Sequence, residues 1–83
     1  MILLPSLLAT QAGGQGRFQV EAATVEEALR ALPIADLLFD EHGGLRPLVN
    51  VFVEGDDMRT RDGLATPLDG ETTVRVVAAI AGG

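Results

Sequence analysis

Four places in the chain carry residues whose types could do chemistry: the terminal IAGG, the DEHGG of residues 40–44, the EGDD of 54–57 and the glycines of QAGGQG at 11–16. The first ends in the α-carboxylate of Gly83, ionised at neutral pH because such groups titrate at about 3.5. An anion is a poor acceptor of nucleophiles, so reaction at this carbon requires prior activation. His42, the only histidine, lies in a polar turn and reads as a solvated turn residue rather than a general base or ligand. Glu54, Asp56 and Asp57 read as an acidic hairpin turn, because the spacing of a calcium loop is missing. Gly13, Gly14 and Gly16 join two expected strands, whereas phosphate-cradling glycines open a helix and bring a lysine, which this chain lacks. No catalytic, cofactor-binding or metal-ligating side chain is therefore expected. The reactive position would be the end of the chain itself.

Composition narrows the setting. Eighty-three residues make one domain with a small core, one that buries about 60–65% of the surface its unfolded chain exposes. Without cysteine there is no disulfide framework, thiolate metal site or cysteine nucleophile, which fits a reducing cytoplasm. A formal net charge of -6, with every basic residue an arginine, repels phosphate backbones and excludes nucleic acid as a partner. The opening MILLPSLLATQAGG lacks the basic start of a secretory leader and is broken by Pro5, so it reads as part of the domain. No stretch is long enough to span a membrane.

The elements that would position the chain end follow from periodicity. Leu3, Leu4, Leu7 and Leu8 give a first strand with Pro5 at an edge or bulge. QAGGQG then turns a hairpin into a second strand at residues 17–21, where Phe18 and Val20 share a face. Thr24 and Glu27 have the spacing of a capping box and start a helix whose Val25, Ala28, Leu29 and Leu32 share one side, with Glu26 and Arg30 paired on the wet side. Pro33 either ends this helix or opens a second short turn through Ile34, Leu37 and Leu38. Residues 48–54 form a strand with Val49, Val51 and Val53 on one face and Asn50, Phe52 and Glu54 on the other. A short strand is expected at 58–60. A last strand at 73–79 sets Val74, Val76 and Ala78 against Arg75 and Val77.

This order, with one main helix packed across one face of a mixed sheet of four to five strands, is an α+β β-grasp or ubiquitin-like plan. It places the first and last strands side by side and parallel. The domain is expected to run from 1 to 79, with residues 80–83 a flexible Gly-Gly tail.

Read against known families, LPSLL followed by GGQ, RPLVNVFVEGDDMR, GLATPL and the closing AIAGG resemble, in order and spacing, the ThiS/MoaD ubiquitin-like sulfur carriers, the CysO-type branch more than others. The chain departs from the family in having Ala78 where a proline is usual. It also has VVAA at 76–79 where molybdopterin-type carriers have aromatics and prolines. The resemblance implies a cytoplasmic protein cosubstrate rather than an enzyme, a monomer when free, holding no cofactor of its own. Gly83 would be adenylated by an E1-like enzyme that consumes ATP, then converted to a thiocarboxylate. A downstream synthase would take the sulfur, in cysteine formation or another thio-metabolite or cofactor pathway. Gly82, without a Cβ, and the slim Ala81 would let the tail pass a narrow channel, with Ile80 its apolar anchor. Phe52, Val77 and Arg75 on the outer sheet face would form a docking patch, unless Phe52 is tucked under a loop and Arg75 is a solvated charge. Two alternatives stand beside this: a molybdopterin synthase small subunit, and a ubiquitin-like binding module or protein modifier without sulfur chemistry.

Overall fold

A computed structural model describes residues 1–78. Its strands are β1 (Ile2–Leu3), β2 (Arg17–Phe18), β3 (Val49–Val53), β4 (Asp56–Asp57) and β5 (Val74–Ala78); its helices are α1 (Ser6–Gln11), α2 (Val25–Arg30) and α3 (Ala35–Leu38). The strands form one sheet in the order β2-β1-β5-β3-β4, with β1 parallel to β5 and the other pairs antiparallel. The β-grasp is thus present, with β5 clamped in the middle. Three short helices accompany the sheet where one main helix was expected.

The largest difference lies at the start. Leu7 and Leu8 are not in a strand: β1 stops at Leu3, Pro5 takes the N-cap position of α1, and only Leu8 of that helix is buried. Leucines at 3, 4, 7 and 8 fit helical spacing as well as an apolar strand. A proline just ahead of a helix is no penalty either, since the first turn's N–H groups have no intrahelical acceptor. QAGGQG consequently closes a helix, with the Gly14 N–H donating to Ala9 O at 2.8 Å. The hairpin of β1 and β2 survives with α1 inside its connection, and β2 is two residues long rather than five.

At α2 the Thr24 hydroxyl accepts the Glu27 N–H at 3.3 Å. The Glu27 carboxylate accepts the N–H of Ala23 at 2.8 Å, one residue before the cap rather than the cap itself. Another early donor, Val25 N–H, reaches Thr66 O at 3.1 Å. Thr66 is itself buried, its hydroxyl donating to Gly63 O at 2.6 Å. The loop before β5 is thereby tied to the start of α2. Pro33 separates α2 from α3, so both outcomes left open for it occur together.

The expected strand at 58–60 is a 3-10 turn, preceded by the two-residue β4. Glu54 and Gly55 both take positive φ, of 51° and 86°, and make the tight turn that feeds β4. Asp57 then caps the next turn by accepting the Arg59 N–H at 2.9 Å, which diverts the backbone before a longer strand can form.

The core lies between the sheet and the helices. Ile2, Val51, Val53, Val74 and Val76 from the sheet meet Val25, Ala28, Leu29, Leu32, Ile34, Leu38 and Phe39. The period of two in β3 and β5 places every second residue there. Fully burying one such side chain stabilises the fold by roughly 1.5–3 kcal/mol.

Candidate functional site

β5 is paired with β3 along its whole length, from Val74 to Ala78, and with β1 on the other side at Val74 and Arg75. Its final described pair is Ala78 with Val49, and Ala78 packs toward the core. Ile80, Ala81, Gly82 and Gly83, the residues expected to carry the chemistry, lie outside the described residues, as does the expected domain boundary after 79.

The residues expected to form a docking face are brought together. Phe52 is paired in register with Arg75, and Val77 with Asn50, so Phe52, Arg75 and Val77 share the sheet face opposite the helices. Together with Glu54, Gly55 and Thr73 they line a shallow groove. Phe52 is half-buried, and it belongs neither to the core nor to the residues packed against it. Arg75 is exposed, and Val77 keeps 38% of its surface in water, high for a valine in the middle of a sheet.

Sequence reasoning missed the polar lattice beside this groove. The Arg59 guanidinium grips Asp57 through two bonds, Nε to Oδ1 at 3.1 Å and an Nη2 donor to Oδ2 at 2.8 Å, and Nη2 also donates to Asn50 Oδ1 at 3.1 Å. The Arg59 side chain and backbone N–H hold the Asp57 carboxyl below the usual aspartate range, and the same contact raises Arg59. A capping aspartate two residues before an arginine was the available signal. Leu3 and Arg17 were also missed, because their place on this face depends on register: Leu3 pairs with both Arg17 and Arg75.

The other candidate residues have local tasks. His42 is largely exposed in a turn whose N–H groups, its own included, donate to the Asp40 carboxylate. The acidic triad splits: Asp56 pairs with Arg61 at 2.8 Å, Asp57 with Arg59, and Glu54 accepts the Thr73 N–H at 3.0 Å. Among the described residues no three His, Asp or Glu side chains converge as a metal cluster would require. A separate carboxyl, Asp69, is lowered mainly by the N–H of Glu71 and then by the Thr72 hydroxyl, which together cap the turn before β5.

No protein-family model matches the chain. Among curated proteins it is similar to the sulfur carrier protein CysO of Mycobacterium tuberculosis, at 29% identity over 89 aligned positions that cover 99% of this chain and 96% of the relative. Among solved structures it resembles M. tuberculosis CysO, with a TM-score of 0.83 at 27% identity, covering 95% of this chain and 97% of that one. It also resembles a chain of the Amycolatopsis orientalis BexX/CysO complex, with a TM-score of 0.82 at 26% identity, covering 99% and 97%. The chain shares the ubiquitin-like β-grasp fold of these sulfur carriers and is similar in sequence to CysO. Such carriers are small proteins rather than enzymes, and the likeness runs from end to end. Among the described residues, no helix is long and apolar enough to cross a membrane.

Proposed function

We propose that this carrier presents its terminal glycine for activation and returns it as a thiocarboxylate. The Gly83 carboxylate attacks the α-phosphorus of ATP on an E1-like enzyme, pyrophosphate leaves, and an acyl-adenylate forms. Sulfide then attacks the acyl carbon and AMP leaves, so one oxygen is replaced by sulfur. The thiocarboxylate sulfur, a soft nucleophile, displaces the leaving group of an acceptor held by a downstream synthase and gives a thioester, whose acyl–sulfur bond water then cleaves, restoring the Gly83 carboxylate and releasing the new thiol. An activated serine that becomes cysteine is the acceptor that the CysO-like relationship favours.

One structural observation supports this most: β5, the strand leading to the tail, is central in the sheet, paired with β3 along its whole length and with β1 at its start. Pulling on the chain end therefore loads the five residue pairs that β5 makes with β3, with the pairing to β1 behind them. The five residues after Ala78 span about 17 Å when extended, enough to carry Gly83 into a nucleotide site while the domain stays outside. Gly82 lets the backbone approach phosphate closely, Ala81 adds little bulk, and Ile80 fixes the register. A chain it resembles is found in the BexX/CysO complex, and this carrier would meet its partner proteins through a surface of its own domain. Phe52, Arg75 and Val77 are the residues best placed to form it.

Intact mass measured after incubation with ATP, sulfide and an E1-like enzyme tests the reading. Replacement of oxygen by sulfur adds about 16 Da. Deleting Gly82 and Gly83, or adding a residue after Gly83, should abolish the increase while thermal unfolding is unchanged. An increase that persists in those variants would place the chemistry elsewhere and overturn the reading.

A further inference from the structure

The register of the sheet shows how far each neighbouring strand can follow β5 toward the chain end. Against β3 the pairs run from Val53 with Val74 to Val49 with Ala78, and one place further back the Glu54 N–H donates to Thr73 O at 3.0 Å. Backbone-bonded pairs alternate along an antiparallel ladder, so the rungs fall at Phe52 with Arg75 and at Asn50 with Val77. On the same count the next places are Leu48 opposite residue 79 and Arg46 opposite residue 81.

Arg46 cannot serve as a rung. Its N–H donates to Leu38 O at 2.8 Å and its C=O accepts the Val49 N–H at 3.0 Å, which closes a turn over residues 46–49. Pro47 stands at the second position of that turn, where its fixed φ of about −65° suits both common turn types. The chain ahead of Leu48 therefore leaves the sheet toward the end of α3.

On the other edge β1 stops sooner. It pairs Leu3 with Arg75, and the Val74 N–H donates to Met1 O at 2.8 Å. A parallel ladder advances two residues per rung on each strand. After the Val76 N–H on Leu3 O, it would need a residue 5 N–H for Val76 O and a residue 5 C=O for the Ala78 N–H. Residue 5 is a proline and has no N–H. Its C=O already accepts the Ala9 N–H at 2.8 Å, at the start of α1.

We propose that Pro5 and the Arg46–Pro47 turn fix the point at which the tail leaves the sheet: β1 releases β5 after the Val76 N–H, and β3 follows it no further than residue 79. The arm offered to a partner is then residues 80–83, about 14 Å when extended. This rests on the carrier reading above and adds what keeps the chain end available. Such a stop is needed because AIAGG contains neither proline nor charge, and Ile80 favours a strand, so a β3 that ran on straight would keep pairing with it. An arm zipped to β3 is withheld from an activating enzyme, and the apparent affinity falls with the fraction left free. Arg46 and Pro47 are thus positioning residues that act through the tail.

Amide hydrogen exchange followed by NMR on the full chain tests this without a partner. In the unaltered chain the Val77 N–H should be protected, and those of Ala78 and Ala81 should exchange at least tenfold faster. Pro47→Val favours extended backbone and should raise protection at Ala81 about threefold or more. In the mass assay the same variant should raise the half-saturating carrier concentration by the same factor at unchanged maximal rate, because both measurements read the fraction of arm withheld. Pro47→Ala, a poor strand former, and Pro33→Val, between α2 and α3, should match the unaltered chain in both. Thermal unfolding checks that each variant is folded. Ala81 as protected as Val77 in the unaltered chain overturns the proposal, because the ladder would then run past Arg46. So does Pro47→Val that leaves Ala81 unchanged, or an equal rise in half-saturating concentration from Pro33→Val. The carrier chemistry is read separately: a chain with this exchange pattern that gains no sulfur loses the carrier reading and keeps the release point, and the opposite pair of results does the reverse.

Discussion

The two faces of one sheet differ more than any two regions along the chain. On β3, Val51 and Val53 are 1% exposed against the helices, while Phe52 between them points away and stays half in water. On β5, Val74 and Val76 are buried, while Arg75 and Val77 are exposed. The inner face holds the fold, and the outer face leaves its side chains in water. A period of two lets one short segment serve both faces, so outer residues can change without touching the core.

The largest expected effect sharpens the inner half of this contrast. Leu29→Ala, at a residue with no exposed surface, should cost about 2–5 kcal/mol in urea unfolding, because the cavity adds to the lost transfer energy. For a domain this small that removes a large fraction of its stability. Next, Thr24→Ala should cost about 1 kcal/mol by leaving an early helix N–H without its acceptor. The same unfolding curves read it, and no change would mean the cap is idle.

Phe52→Ala is the variant most able to break the comparison. It removes a larger side chain than Leu29→Ala, yet should cost only about 1 kcal/mol, since a half-buried ring recovers roughly half the transfer energy of a buried one. A loss equal to that of Leu29→Ala would make the outer face structural. The smallest effect concerns Asp57. Its folded pKa is lowered by Arg59, so its contribution is complete above the ordinary aspartate range and fades only as pH falls through the lowered value. Carboxyl carbon resonances followed by NMR should give Asp57 a midpoint below that of a free aspartate, and Arg59→Ala should move it back up.

How much of this was legible before folding can be argued residue by residue. Val49, Val51 and Val53 against Asn50, Phe52 and Glu54, and Thr24 with Glu27, announced the faces of β3 and the start of α2, because both signals are local. Phe52, Arg75 and Val77 were placed on one face for the same reason. The leucines at 3, 4, 7 and 8 misled, since strand and helix both accommodate that spacing and Pro5 breaks a strand as readily as it precedes a helix. Met58–Thr60 misled as well: the Asp57 side chain, bonding to the Arg59 N–H, competes with the sheet for the backbone there. Arg59 and Asn50 meet only because that turn folds back beside β3.

What the sequence determined by itself was therefore the alternation within β3 and β5 and the cap of α2. Only the tertiary structure decided that Ile2–Leu3 pairs with Val74–Arg75, more than seventy residues away. That pairing holds β5 at the sheet centre and lines up Arg17, Leu3, Arg75 and Phe52. The reason is physical. Periodicity sets which way a side chain points through bonds along its own strand, whereas which strands are neighbours, and in what register, is settled by the packing of the whole core.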